Sequence, residues 1–263
     1  MRENFALTEA GFKVGLIYRL HYFASLLSVP VSLLIYFYLW KAIFAYSNAT
    51  VIKGFTLDEM VSYYVLVMLV GFITYSECDK WIEESVVRGD TIMALLKPYR
   101  FIVWHYFFEL GLTGLGLIIE ILPVFVVGFF FGLKIASIPY LILFVISLAL
   151  ASALYFLVTF IVGLTSFWLF KIGGLRRVKR SMLAFLGGSM LPLTFFPETV
   201  QNIFLVLPFQ YMRYIPILIY LEKYSIPYSI TLLGIAATWV ILLYVLARLM
   251  WNAAFKKFAG AGT

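Results

Sequence analysis

Five long apolar runs divide the chain: Tyr22 to Tyr46, Met60 to Tyr75, Phe101 to Leu133, Ile138 to Phe170 and Tyr228 to Trp251. They are continuously apolar and lack the alternation of a lipid-facing barrel strand, and most reach the roughly 20 residues that carry a helix across a bilayer. The pattern predicts an all-α membrane protein built as one domain over residues 1–263. Residues 1–21 interleave Arg2, Glu3, Glu9, Lys13 and Arg19 with Phe5, Leu7, Phe12, Leu16 and Ile17. This spacing reads as an interfacial amphipathic helix ahead of an uncleaved first span, with a frayed tail as the alternative.

The pattern is broken between Arg180 and Tyr228 by Pro192, Pro197, Pro208, Pro216 and Pro227, which predict short helical pieces. Two full spans here would make seven crossings and leave Arg248, Lys256 and Lys257 outside, against the tendency of basic loops to stay cytoplasmic. One crossing that breaks at Pro192 or Pro197, followed by an outer re-entrant segment over 196–227, makes six transmembrane helices with both termini cytoplasmic. Backbone of that kind is tolerable at membrane depth when it packs on protein or lines a cavity.

Polar residues concentrate over 76–100, where nine of the 24 residues from Glu77 to Arg100 are charged. Projected as a helix, Trp81, Ile82, Ser85 and Val86 fall on one side and Lys80, Glu83, Glu84 and Arg88 on the other. Gly89 is a helix stop, Asp90 an N-cap, and Thr91 to Lys97 a second short helix ended by Pro98. At about 25 residues this connection exceeds the usual two to eight, so it reads as a cytoplasmic docking surface.

Composition agrees with the pattern: 63% hydrophobic and 13% charged residues with mean hydropathy +0.99 lie outside the range of soluble domains. The six-helix topology puts 15 of the 20 Lys and Arg residues on the cytoplasmic side, so topology explains the net charge of +7 and no nucleic-acid partner is needed. Lys171 to Arg180, with five basic residues in ten, reads as a second inner loop that meets either an ATPase or anionic lipid. Cys78 is the single cysteine, and His21 and His105 lie near membrane edges. No disulfide, metal cluster or catalytic constellation follows.

Two acids interrupt the third run. Glu109 and Glu120 fall within roughly 20° of one helix face and about 16 Å apart along the axis. Each is either a cation-attracting group in a pathway or a structural hydrogen-bond acceptor. Gly111, Gly114 and Gly116 between them permit close helix packing. Aromatic residues make up 19% of the chain, and Met190, Phe195, Phe196 and Tyr211 are the candidates for an apolar gate or substrate contact in the broken region.

The run VVRGDTIMALLKPYRF after the second span, and GGSMLPLTFFPETVQNIFLVLPFQYMRYIP after the fifth, resemble the corresponding segments of type 2 ABC exporter (ABC-2) permeases. The likeness is closest to the branch with bacterial drug and viologen exporters. The resemblance implies a plasma-membrane half-transporter, with a second permease subunit, identical or paralogous, and separate ABC ATPase subunits that carry ATP and Mg. It also implies that Trp81, Glu83, Glu84, Arg88 and Asp90 contact the ATPase. No cofactor is expected on this chain, which has no G-x-x-x-x-G-K-[ST] loop. The cargo implied is a hydrophobic, amphipathic or cationic small molecule or lipid moved outward. The alternatives are export of lipid-linked polysaccharide and an ATP-independent secondary transporter, although the latter would show a repeat that this chain lacks.

Overall fold

The computed structural model describes residues 8–10, 13, 19–89, 101–130 and 132–260. Most of the expected interfacial helix over 1–21, Asp90 and the short helix expected over Thr91 to Lys97 lie outside these residues, as does the side chain of Glu120. The described chain is helical apart from short connections and one isolated bridge between Ile52 and Phe55. In that bridge Lys53 and Gly54 both take positive φ, the conformation of a tight two-residue reversal.

The long helices are α1 (Arg19–Ser47), α2 (Leu57–Thr74), α4 (Phe101–Phe130), α5 (Ile138–Leu164) and α10 (Ile226–Gly260). Between them lie α3 (Cys78–Arg88), α6 (Ser166–Leu169), α7 (Gly173–Leu186), α8 (Glu198–Val206) and α9 (Tyr214–Tyr220). Four stretches of the described residues are long and apolar enough to cross a membrane: Pro30–Ser47, Leu57–Arg88, Ile138–Leu169 and Ile226–Ala254. At 30 residues α4 also has the length.

Helix α5 is the centre of the bundle, packing against α2, α3, α7, α9 and α10, while α1 lies on α2 and α4. The outer faces of α1, α5 and α10 leave Ile35, Tyr38, Ile142, Val145, Ile241 and Leu249 exposed, an apolar surface that needs lipid or a second subunit to cover it. Basic side chains of α3 and α7 gather at one end of the bundle, called here the basic end.

The opposite end is pinned by Glu59. It completes a capping box with Thr56 at the start of α2, its Oε2 accepting from the Thr56 backbone N at 2.9 Å. It also pairs with Lys223 at 2.7 Å and Lys134 at 3.6 Å. One carboxylate thereby joins the start of α2 to the α4–α5 and α9–α10 connections.

The fifth expected crossing is not one long helix. At 14 residues, α7 spans about 21 Å against a hydrocarbon core of about 30 Å. It ends at Leu186, earlier than the prolines suggested. Ser189 N donates to Ala184 O at 3.0 Å and Gly188 N to Phe185 O at 3.3 Å, and Gly188 has φ +78°. This is a Schellman stop, which closes the helix through a left-handed glycine. A Cβ at Gly188 would lie 2.9 Å from Tyr63 Oη, so the position excludes a side chain by conformation and by space.

Beyond that stop the chain runs through short pieces, of which α9 is buried along its whole length against α5 and α2. At the lower end of α9, Arg213 reaches Gly71 and Tyr155, about 20 Å along α2 and α5 from their first turns. At its upper end Glu222 Oε1 accepts from Ser137 N, at the start of α5, at 2.7 Å. The segment thus makes contacts both deep along α2 and α5 and at the start of α5.

Candidate functional site

Helix α3 lies across the basic end, with Cys78, Asp79, Ile82 and Val86 buried. Those apolar side chains join Phe156, Phe160, Leu164 and Phe167 in one cluster. Gly163 makes the approach possible, since a Cβ there would fall 2.9 Å from Asp79 Cα and 2.8 Å from Ile82 Cδ1.

Two ion pairs tie the same side of α3 to α7. Asp79 Oδ2 meets Lys179 Nζ at 2.6 Å, and Lys179 also donates to Thr159 Oγ1 of α5 at 3.3 Å. One turn on, Glu83 Oε2 meets Arg176 Nη2 at 3.0 Å, while its Oε1 accepts from Ile172 N at 3.0 Å. The Glu83 carboxylate therefore caps the positive end of α7 as well as pairing with a guanidinium. Desolvating such charges is costly, and the pair at Asp79 is held because both partners are present with added hydrogen bonds.

The face left over consists of Lys80, Trp81, Val87 and Arg88, all exposed, with Glu84 beside them. Trp81 is 42% exposed, and Glu84 pairs with Arg88 at 3.6 Å. Two expectations change here. Trp81 is not on the packed side of α3, and Glu83 is not on the free side. The stripe that docks is Asp79, Ile82, Glu83 and Val86, spaced three, four and seven residues apart. That phase leaves Trp81 about 160° away.

The α2–α3 turn is held by Glu109 of α4. Its carboxylate accepts from Ser76 Oγ at 2.5 Å and from Glu77 N at 3.1 Å, and the residue is 8% exposed. These bonds tie α4 to the start of α3. His105, one turn earlier on α4, is buried edge-on against Phe101 and Trp104.

The candidates in the broken region do not converge. Phe195 packs on Trp40, Phe196 on Phe185 and Phe204, and Tyr211 is buried among neighbours of its own segment. Met190 is exposed, while its carbonyl accepts from Tyr64 Oη at 3.0 Å. Sequence reasoning passed over Asp79, Arg176, Lys179 and Arg213 as site residues. Arg176 and Lys179 stood in the basic decad Lys171 to Arg180, but a partner 100 residues away in the chain leaves no local signal. A charge at the depth of Arg213 costs on the order of 2.5 to 3.5 kcal/mol on insertion scales, which marks it for attention.

Residues 30–262 match the family model described as ABC-2 family transporter protein. Comparison with curated proteins and with solved structures returns no match.

Proposed function

Because the chain belongs to the ABC-2 family of transporter proteins, we propose that it is the permease subunit of an ATP-driven exporter in the plasma membrane. Two permease subunits, identical or paralogous, form the pathway, and ATPase subunits carrying ATP and Mg dock on the basic end. That end is cytoplasmic by the retention of positive loops, which puts both termini inside and makes the segment over 196–227 re-entrant from the outer side.

One observation carries the reading: α3 has a free charged and aromatic face while its other face is locked to α5 and α7. A push on Lys80, Trp81, Glu84 and Arg88 is delivered to α7 through Asp79–Lys179 and Glu83–Arg176. From α7 it passes through the glycine stop at Gly187 and Gly188 into the segment that fills the middle of the bundle. Packed elements with charged clamps shift as units, which suits a device that transmits small displacements.

Cargo is an amphipathic or hydrophobic molecule, lipid included, moved outward along the re-entrant segment. Co-reconstitution of the permease with its cognate ATPase in vesicles tests the proposal. Joint replacement of Trp81→Glu and Arg88→Glu should abolish permease-stimulated ATP hydrolysis while the fold is retained. Stimulation equal to that of the unmodified protein would remove α3 as the coupling element.

A further inference from the structure

Three cations that are buried or half-buried in the described bundle each have a carboxylate: Lys179 has Asp79, Arg176 has Glu83, and Lys223 has Glu59. Arg213 does not. Among the described residues no acidic side chain comes within ion-pairing distance of it. Its Nη1 donates to Ser189 Oγ at 2.8 Å, and its Cζ lies 5.9 Å from the centre of the Tyr155 ring.

A guanidinium presents five N–H donors in a planar fork, and a hydroxyl and a ring face use little of that capacity. The group packs against the α2 backbone. At Gly71 the α2 backbone faces the group with no side chain between, and an added Cβ would sit 3.7 Å from Cζ. Arg213 as a whole is half-buried. It stands about 20 Å along the long helices, where water is scarce and an oxyanion is the natural complement of a guanidinium.

We infer that Arg213 recognises the anionic headgroup of the cargo, a phosphate carried by an amphiphile whose chain lies along the neighbouring aromatic faces. Ser189 Oγ completes the polar wall. This deepens the permease reading and rests on it: an organic cation would be repelled at the point where a phosphate amphiphile is held.

The test uses the full-length protein in a non-ionic detergent without the ATPase. The background is Arg177→Gln with Arg180→Gln, which removes two exposed cations that would attract any anion. Three probes share one alkyl chain: dodecyl phosphate, dodecylphosphocholine and dodecyltrimethylammonium. Dodecyl phosphate is expected to bind about tenfold more tightly than the cationic probe, and Arg213→Gln should reduce that ratio to within about twofold, with Arg213→Lys between them. Equal binding of the probes to the parent protein, or an undiminished preference in Arg213→Gln, overturns the inference. Displacement of dodecyl phosphate by equimolar inorganic phosphate also overturns it, because the site would then read the free anion. If Arg213→Gln does not fold, the parent protein's ratio and Arg213→Lys decide. Binding needs no ATP, so failure here is separate from failure of ATP-driven movement in vesicles, which would count against the permease reading.

Discussion

The Asp79 carboxylate and the Lys179 ammonium meet at 2.6 Å, with side chains only 4% and 6% exposed, and this contact joins the two short helices of the basic end. Removing one partner strands the other as a buried charge. Asp79→Ala and Lys179→Met should each destabilise the protein by about 3 to 5 kcal/mol, whereas Asp79→Leu combined with Lys179→Met should recover most of the loss. Chemical unfolding of the three variants in detergent measures the coupling. Additive losses in the double variant would show that the two charges do not act as a pair.

At Gly163 the prediction is steric. With Asp79 Cα and Ile82 Cδ1 both under 3 Å from the position of an added Cβ, Gly163→Val forces α3 away from α5 at a cost of about 1 to 3 kcal/mol. Proteolysis at Lys80 and Arg88 should become faster, because the helix that carries them loosens. Unchanged cleavage and stability would place the contact elsewhere.

Gly188→Ala meets both a left-handed backbone and the Tyr63 hydroxyl, and should destabilise by about 1 to 2 kcal/mol. Tyr63→Phe isolates one element of the same junction: Tyr63 Oη donates to Gly188 O at 2.6 Å in a buried setting, so its loss should cost about 1 to 3 kcal/mol. Melting of the two variants in detergent reads both effects, and a Gly188→Ala protein as stable as the parent would contradict the glycine stop.

Asn202 is exposed on α8, on the segment read as re-entrant from outside. A cysteine placed there by Asn202→Cys should react with a membrane-impermeant maleimide added to intact cells, while native Cys78, which is buried, stays silent. Reaction only after the inner face is opened would reverse the topology.

The fold was legible wherever lipid imposes a rule. A continuous apolar run has to become a helix in hydrocarbon, so the cores of α1, α2, α4, α5 and α10 follow from composition alone. Helix α3 was legible as an amphipathic element ending at Gly89, but its rotation was not. A projection that contrasts apolar with polar places Trp81 inside, whereas Asp79 is buried because Lys179 arrives from α7 to neutralise it. The stop at Gly187 and Gly188 was hidden by the more conspicuous prolines that follow, although a glycine just past the end of a helix is itself a Schellman signal. Arg213 was beyond reach for a different reason. Its depth depends on how far the broken segment enters the bundle, and nothing in local pattern encodes that distance.

The central claim is that α3 passes mechanical work to α7. Permease and cognate ATPase reconstituted in vesicles allow ATP hydrolysis and cargo movement to be measured on one sample, with Glu83→Ala and Arg176→Ala introduced together to cut the outer clamp while the ATPase-facing side stays intact. Hydrolysis should remain within about twofold of the unmodified complex while cargo movement falls about tenfold, a difference of about 1.4 kcal/mol in coupling. Cargo movement that survives in step with hydrolysis, or that proceeds at full rate with no ATPase present, would contradict it.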